Sequence, residues 1–216
     1  MISLSKRLEK ISSFIEEADN VLDVGCDHAL LDIYLSKKYN KIYYASDLRE
    51  SALDMARANI KKYNADKVIL KCANGLEKID ECNVNTVVIS GMGYMSIINI
   101  LKHIKKTKKV EKLVIQSNTN AEKVRKFLLK NGFYIDKEEL LLDKNIYYII
   151  GIYKRGSKKY SKIDKEIGIF SDKYTSKYLE LEIKKNSILL KVVPKKYIFK
   201  RLEIKRRIKY LKSKNH

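Results

Sequence analysis

Between residues 20 and 118, five short apolar runs alternate with segments of helical composition: NVLDVG, KIYYASD, KVILKCAN, NTVVISG and KLVIQSN. Each is too short for a helix and largely lacks the polar alternation of a half-exposed strand, so these are strands buried on both faces. Parallel strands need crossovers, and the helix-compatible sequence after each run supplies them. The expected fold is α/β, a doubly wound and mostly parallel sheet. LLDIYLSKKY and SALDMARANIKKYN read as helices, the second with Ser51 as N-cap and Asp54 in its first turn. Residues 4–17 read as an amphipathic helix through Leu4, Leu8, Ile11 and Ile15. After Gly132 the pattern changes: FYIDKEELLLDKNIYYIIGIYK holds two strand-like runs with no room for a helix, which predicts an antiparallel hairpin closing the sheet.

KRGSKKY (154–160) reads as a linker between a domain at 1–153 and one at 154–216. Beyond it, Ile163, Ile167, Phe170, Tyr174, Tyr178 and Leu181 form a helical stripe, and Ile198, Leu202, Ile208 and Leu211 mark a second helix after Pro194. The two helices are expected to pair as an antiparallel hairpin, a coiled-coil-like appendage.

Charge separates the two parts. Residues 1–153 hold 25 Lys and Arg against 20 Asp and Glu, whereas 154–216 hold 21 against 6, so +15 of the net +20 lies in the last 63 residues. Codon-driven lysine enrichment would raise both parts alike, and the asymmetry points to a polyanionic partner. Lys195, Lys196, Lys200, Arg201, Lys205, Arg206 and Arg207 are the candidates for RNA phosphates; the bland alternative is a solvated helix face. No run of 18 apolar residues exists, and the first residues lack a signal peptide's apolar core. Cys26, Cys72 and Cys82 form no CxxC pair, so neither a zinc knuckle nor a disulfide framework is expected. The expectation is a cytosolic, monomeric protein with reduced thiols and no metal.

In a doubly wound sheet, ligands bind at the carboxyl ends of the strands. The first strand, with Asp23, runs into Gly25 and the loop Cys26-Asp27-His28. The second ends at Asp47-Leu48, an acidic residue spaced to hold ribose hydroxyls, and the third at Asn74-Gly75, able to offer an amide to an adenine. Together they describe a pocket for an adenosine-containing molecule. A dinucleotide would need GxGxxG at the helix N-terminus, but only Gly25 is present, and Asp27 would repel a pyrophosphate. S-adenosylmethionine carries an ammonium and a sulfonium and no phosphate, and it suits this acidic loop. A metal site from Cys26, Asp27 and His28 is disfavoured because three adjacent residues cannot readily aim at one ion. Cys26 lacks a base partner and reads as space-filling.

LSKRL at 4–8, DVGCDHA at 23–29, SGMGYMSIINIL at 90–101 and IQSN at 115–118 resemble the bacterial tRNA (adenine-22-N1)-methyltransferases of the TrmK type. The resemblance covers most of the chain and implies a Rossmann-like class I methyltransferase with a helical tail, acting on N1 of an adenine in tRNA. It implies that Arg7 folds over the cofactor pocket or meets RNA, and that Gly91, Met92 and Gly93 present the base, with Tyr94 stacking on it or packing as a helix-start residue. Asp27 would accept a hydrogen bond from the adenine amine or hold the cofactor's amino group; Gln116 and Asn118 would orient Asp27 or the base. Departures from the family pattern are Leu30 for an aromatic, a proline that is either Asp32 or absent, Asp47 for glutamate, Asn74 for aspartate, Tyr94 for glycine and Ser117 for proline. The rival readings are a methyltransferase-like nucleic-acid binder without activity and a methyltransferase for another base.

Overall fold

The computed structural model describes residues 2–102, 104–105 and 107–215. The strands are β1 (Val21–Val24), β2 (Tyr43–Asp47), β3 (Val68–Cys72), β4 (Thr86–Met92), β5 (Lys112–Ser117), β6 (Phe133–Asp143) and β7 (Ile146–Arg155). They form one sheet in the order β3-β2-β1-β4-β5-β7-β6. The first five are parallel, with Leu22 opposite both Tyr44 and Val87, so all five carboxyl ends lie on one edge. Every residue of β1 is buried, Asp23 included. The chain order reverses between β1 and β4, which is where such a sheet opens a crevice.

Helices α1 (Lys6–Ser12), α2 (Leu30–Tyr39), α3 (Glu50–Tyr63), α4 (Tyr94–Leu101) and α5 (Ala121–Lys130) cover the sheet. Three expectations need correction. α1 stops at Ser12, not at 17: the Ser12 and Ser13 hydroxyls donate to the carbonyls of Glu9 and Lys10 at 2.7 Å, a side-chain competition that frays a helix. Phe14 and Ile15 are buried from the turn that follows. α3 starts before Ser51, because Asp47 Oδ1 accepts the Arg49 N–H at 2.9 Å and the turn so closed makes Arg49 the N-cap. Asp54 then falls in the second turn, paired with Arg57. Between β3 and β4 there is only a 3-10 turn at Ile79–Glu81, whose surroundings bury little beyond Ile79, Cys82 and Val84.

The expected hairpin is present. Lys144 and Asn145 both adopt left-handed conformations, as a two-residue type I′ connection demands. Gln116 of β5 pairs with Ile150 of β7, so Ile146 to Ile149 and the turn overhang the sheet's carboxyl edge.

β7 continues through Lys154 and Arg155, the first two residues of the expected linker, and Tyr160 donates its hydroxyl to Ile135 O at 2.7 Å. The apolar stripe beyond is carried by two helices, α6 (Lys162–Ile167) and α7 (Thr175–Val192). The break follows from a buried arginine: Arg125, paired with Glu138 at 2.8 Å, also donates to the carbonyls of Lys165 and Ile167, which takes the end of α6 out of helical bonding. α8 (Ile198–Lys214) returns along α7, with Ser176 near Asn215 and Arg201 against the far end, so the antiparallel pairing holds. Ile167, Phe170, Leu179 and Leu211 form a small core with Leu140 of β6, which anchors the tail to the sheet.

Candidate active site

The loop after β1 turns sharply because Gly25, Asp27 and Ala29 all take positive φ. The N–H groups of Gly25 and Cys26 donate to Ser46 O at 2.7 and 3.0 Å, and Asn59 Nδ2 holds His28 O at 3.0 Å. This crowding brings the loop against the end of β4. A Cβ added at Gly25 (φ +79°) would lie 1.9 Å from Met92 Cε, and one at Gly91 (φ +78°) 2.7 Å from Arg7 Nη1. The positive φ favours glycine at both positions, and a Cβ there would also have to displace the end of the Met92 or Arg7 side chain.

A cavity of about 400 Å³ lies where these segments meet. Asp23, Gly25, Cys26, Asp27 and His28 line it from the first loop, Asp47 and Arg49 from the end of β2, Ser90, Gly91 and Met92 from β4, and Arg7 from α1. Most of the residues expected to bind a cofactor thus converge. Leu48, Asn74 and Gly75 sit beyond Asp47 on the same edge and do not line it, and neither do Gly93 and Tyr94. Asn118 lines a neighbouring cleft of about 720 Å³ between α5, the β6–β7 turn and α7–α8.

Gln116 holds the rim. Fully buried, it accepts Arg7 Nη1 and the Gly91 N–H through Oε1, each at 2.9 Å, and donates to Asn118 Oδ1 at 3.0 Å. Asn118 donates its side-chain amide to Gly91 O at 2.7 Å and its N–H to Met92 O at 2.8 Å, across the irregularity in β4 between Ser90 and Met92. Gln116 and Asn118 therefore position Arg7 and the Gly91 backbone, not Asp27. Tyr94 is the first residue of α4, half-buried against the core, with Lys123 Nζ 4.5 Å from its ring centre. That is the helix-start alternative.

Asp27 is 60% exposed at the mouth, 3.4 Å from His28 Nε2 and 3.7 Å from Arg49 Nη2. Arg49 also reaches Asp47 Oδ1 at 3.4 Å, so it bridges the two carboxylates. Arg49 is the site residue that sequence reasoning missed; its only signal is its place two residues past a strand-ending aspartate. Asp23 is buried, and burial raises its carboxyl to about 7 against the opposing pull of Arg7. Behind it Asp32 is fully enclosed, its carboxyl facing that of Asp23. Burial, then the adjacent Asp23, pushes its carboxyl well above the usual range. The Cys26 thiol is raised by burial and by Asp32, Asp23 and Asp47, so it stays protonated and is no nucleophile. Among the described residues no cluster could hold a metal ion; His103 and His216 lie outside them.

The tail residues divide. Lys195, Lys196, Lys205 and Arg206 are exposed, and Lys200 is exposed beside Glu203. The other two of the seven have partners within the protein. Arg201 donates to the carbonyls of Leu190 (2.7 Å) and Val193, capping α7, and Arg207 lies among Glu122, Glu166 and Glu182. Both guanidinium groups are committed within the protein.

The methyltransferase domain family matches residues 4–150. The structure superposes on M. capricolum TrmK in complex with S-adenosyl-homocysteine, at 29% identity and TM-score 0.88, covering 98% of this chain and 97% of that one. A Streptococcus pneumoniae protein provisionally named a tRNA (m1A22) methyltransferase, in complex with S-adenosyl-L-methionine, is 30% identical, with TM-score 0.85 over 99% of this chain and 100% of that one. The chain belongs to the TrmK family of methyltransferases. The tRNA (adenine(22)-N(1))-methyltransferase of Bacillus subtilis is 26% identical over 196 residues, 88% of this chain and 79% of the relative. The TrmK likeness thus spans both the sheet and the helical tail, whereas the methyltransferase domain match stops at residue 150. No helix among the described residues is long and apolar enough to cross a membrane.

Proposed function

We propose that this TrmK-type enzyme transfers a methyl group from S-adenosylmethionine to N1 of adenine 22 in tRNA. The observation that carries the reading is the meeting of three carboxylates, Asp23, Asp27 and Asp47, with the Gly91 rim around one cavity. The donor set fits the cofactor: carboxylates for an ammonium and a ribose, and no glycine-rich cradle for phosphate. When bound, the cofactor supplies an electrophilic methyl on a sulfonium.

The chain's own residues then bind and orient. Buried Asp23 faces the ammonium, whose charge favours loss of the Asp23 proton. Asp47, steadied by Arg49, takes the ribose, with Leu48, Asn74 and Gly75 on the adenine side. The adenine target has its own lone pair at N1, so no base is needed there and catalysis is chiefly positioning. Asp27 at the mouth accepts a hydrogen bond from the exocyclic amine and stabilises the charge that grows on the ring. Gly91, Met92 and Gly93, locked by Gln116 and Asn118, let the base approach the backbone. Adenine N1 is unreachable inside a paired stem, so the nucleotide must leave its stack. The tail beyond β7 forms the RNA-binding part, with Lys195, Lys196, Lys200, Lys205 and Arg206 toward phosphates. In this reading the enzyme acts in the cytoplasm as a monomer, with no metal.

The test is transfer of labelled methyl to unmodified tRNA, beside the same tRNA carrying guanine at position 22. Labelling of the first alone supports the assignment; equal labelling of both removes position 22 as the target.

A further inference from the structure

The turn between α7 and α8 exposes an apolar surface that nothing among the described residues covers. Phe199 is 89% exposed and Val192 72%, with Ile188, Tyr197, Ile198 and Leu202 also open to solvent. Residues 183–202 carry six lysines and Arg201, and no acid. The turn is nonetheless held, because Arg201 caps the carbonyls at the end of α7. A clustered apolar patch of this kind on a folded chain marks a contact surface.

The charge selects its partner. A second copy would set one cationic tip against another, so the occupant is a polyanion with a flat apolar face. The cleft of about 720 Å³ runs from Asn118 and Lys123, at the carboxyl edge of the sheet, to Leu189 and Lys200 beside the tip. Rim and tip therefore stand at two ends of one cleft. We propose that the α7–α8 tip docks on an unpaired nucleobase of the substrate tRNA, with Phe199 stacking on the base and Lys195, Lys196 and Lys200 holding flanking phosphates. Aromatic stacking reads splayed-out bases, which a paired stem does not offer. This inference rests on the tRNA reading above.

The experiment measures steady-state methylation of a tRNA transcript, and binding of a blunt, fully paired RNA duplex, for wild type, Phe199→Ala and Phe199→Tyr. Phe199→Ala is expected to raise KM for tRNA by about tenfold, the scale of one stacked base. Its kcat, its cofactor affinity and its duplex binding stay unchanged, and Phe199→Tyr restores KM. A KM within about twofold of wild type for Phe199→Ala overturns the inference, as does an equal loss on the duplex. Loss of binding to phosphatidylglycerol vesicles with tRNA kinetics intact would assign the tip to a lipid surface instead. Failure of the wild type to methylate tRNA would remove the substrate reading and this inference with it; an inert Phe199 removes this inference alone.

Discussion

Arg7 Nη1 lies 2.9 Å from the amide oxygen of Gln116, and that same oxygen accepts the Gly91 N–H. One buried side chain fixes both the arginine over the cavity and the strand end beneath it. Gln116→Leu keeps the volume but strands both donors, which is expected to cost about 1–3 kcal/mol of stability. A fall in kcat/KM, on the order of tenfold or more, follows from the misplaced rim. Gln116→Glu retains the acceptor for Arg7 and Gly91 but loses the donor to Asn118 Oδ1, so it should fall between Gln116→Leu and wild type in melts and steady-state rates.

Gly91→Ala meets two penalties, a positive φ and a Cβ 2.7 Å from Arg7 Nη1. The strain is expected to destabilise the fold by about 1–3 kcal/mol. Displacement of Arg7 should weaken S-adenosylmethionine binding, which titration calorimetry reads separately from a denaturant melt.

Asp23 and Asp32 make stability depend on pH in a definite direction. The Asp23 carboxyl is raised to about 7, and that of Asp32 well above the ordinary value. Unfolded carboxyls release their protons near pH ~4, whereas the folded chain keeps these. The folded state thus binds more protons across that window, so their contribution to stability falls as pH rises from about 4 towards the folded values. Asp32→Asn removes one of the two acids, so its Tm advantage over wild type should grow between pH 5 and pH 8. An advantage that is flat with pH would mean that Asp32 is ionised throughout.

Arg125 and Glu138 are both almost wholly buried and 2.8 Å apart where the tail meets the sheet. Arg125→Met leaves Glu138 buried without its partner and is expected to cost about 3–5 kcal/mol in urea unfolding. Arg125→Met combined with Glu138→Leu should recover only part of that loss, because the Lys165 and Ile167 carbonyls and the Ile169 N–H still lose their partners.

The basic tail carries exposed charges, proposed above to meet phosphates, and charges paired within the protein. Lys195→Ala with Lys196→Ala is expected to lower the slope of log affinity against log salt for tRNA by about 1.4–1.8, with Tm unchanged. Arg207→Ala should do the opposite, because Arg207 lies among Glu122, Glu166 and Glu182. It lowers Tm and leaves the slope alone.

The strands and the binding edge were legible because burial on both faces writes itself into unbroken runs such as TVVI, and because topology assigns the loop after β1 to the crevice. The hairpin was legible from two strand-like runs too close together for a crossover helix. What escaped depends on partners distant in sequence. Arg201 and Arg207 look like free cations until folding brings the carbonyls of α7 and the carboxylates of Glu122, Glu166 and Glu182 beside them. The break between α6 and α7 hid because the apolar spacing from Ile163 to Leu181 survives it, while its cause, Arg125, comes from α5. Arg49 had no pattern to announce it, since an exposed arginine near a helix start is ordinary.

The most direct measurement is the identity of the methylated nucleoside formed when the protein, S-adenosylmethionine and unmodified tRNA are incubated and the RNA is digested for chromatography and mass spectrometry. 1-Methyladenosine, resolved from N6-methyladenosine and reduced in Asp27→Ala, is the expected product. N6-methyladenosine, another methylated base, or no product from protein that still binds both cofactor and tRNA would contradict N1 transfer at this site.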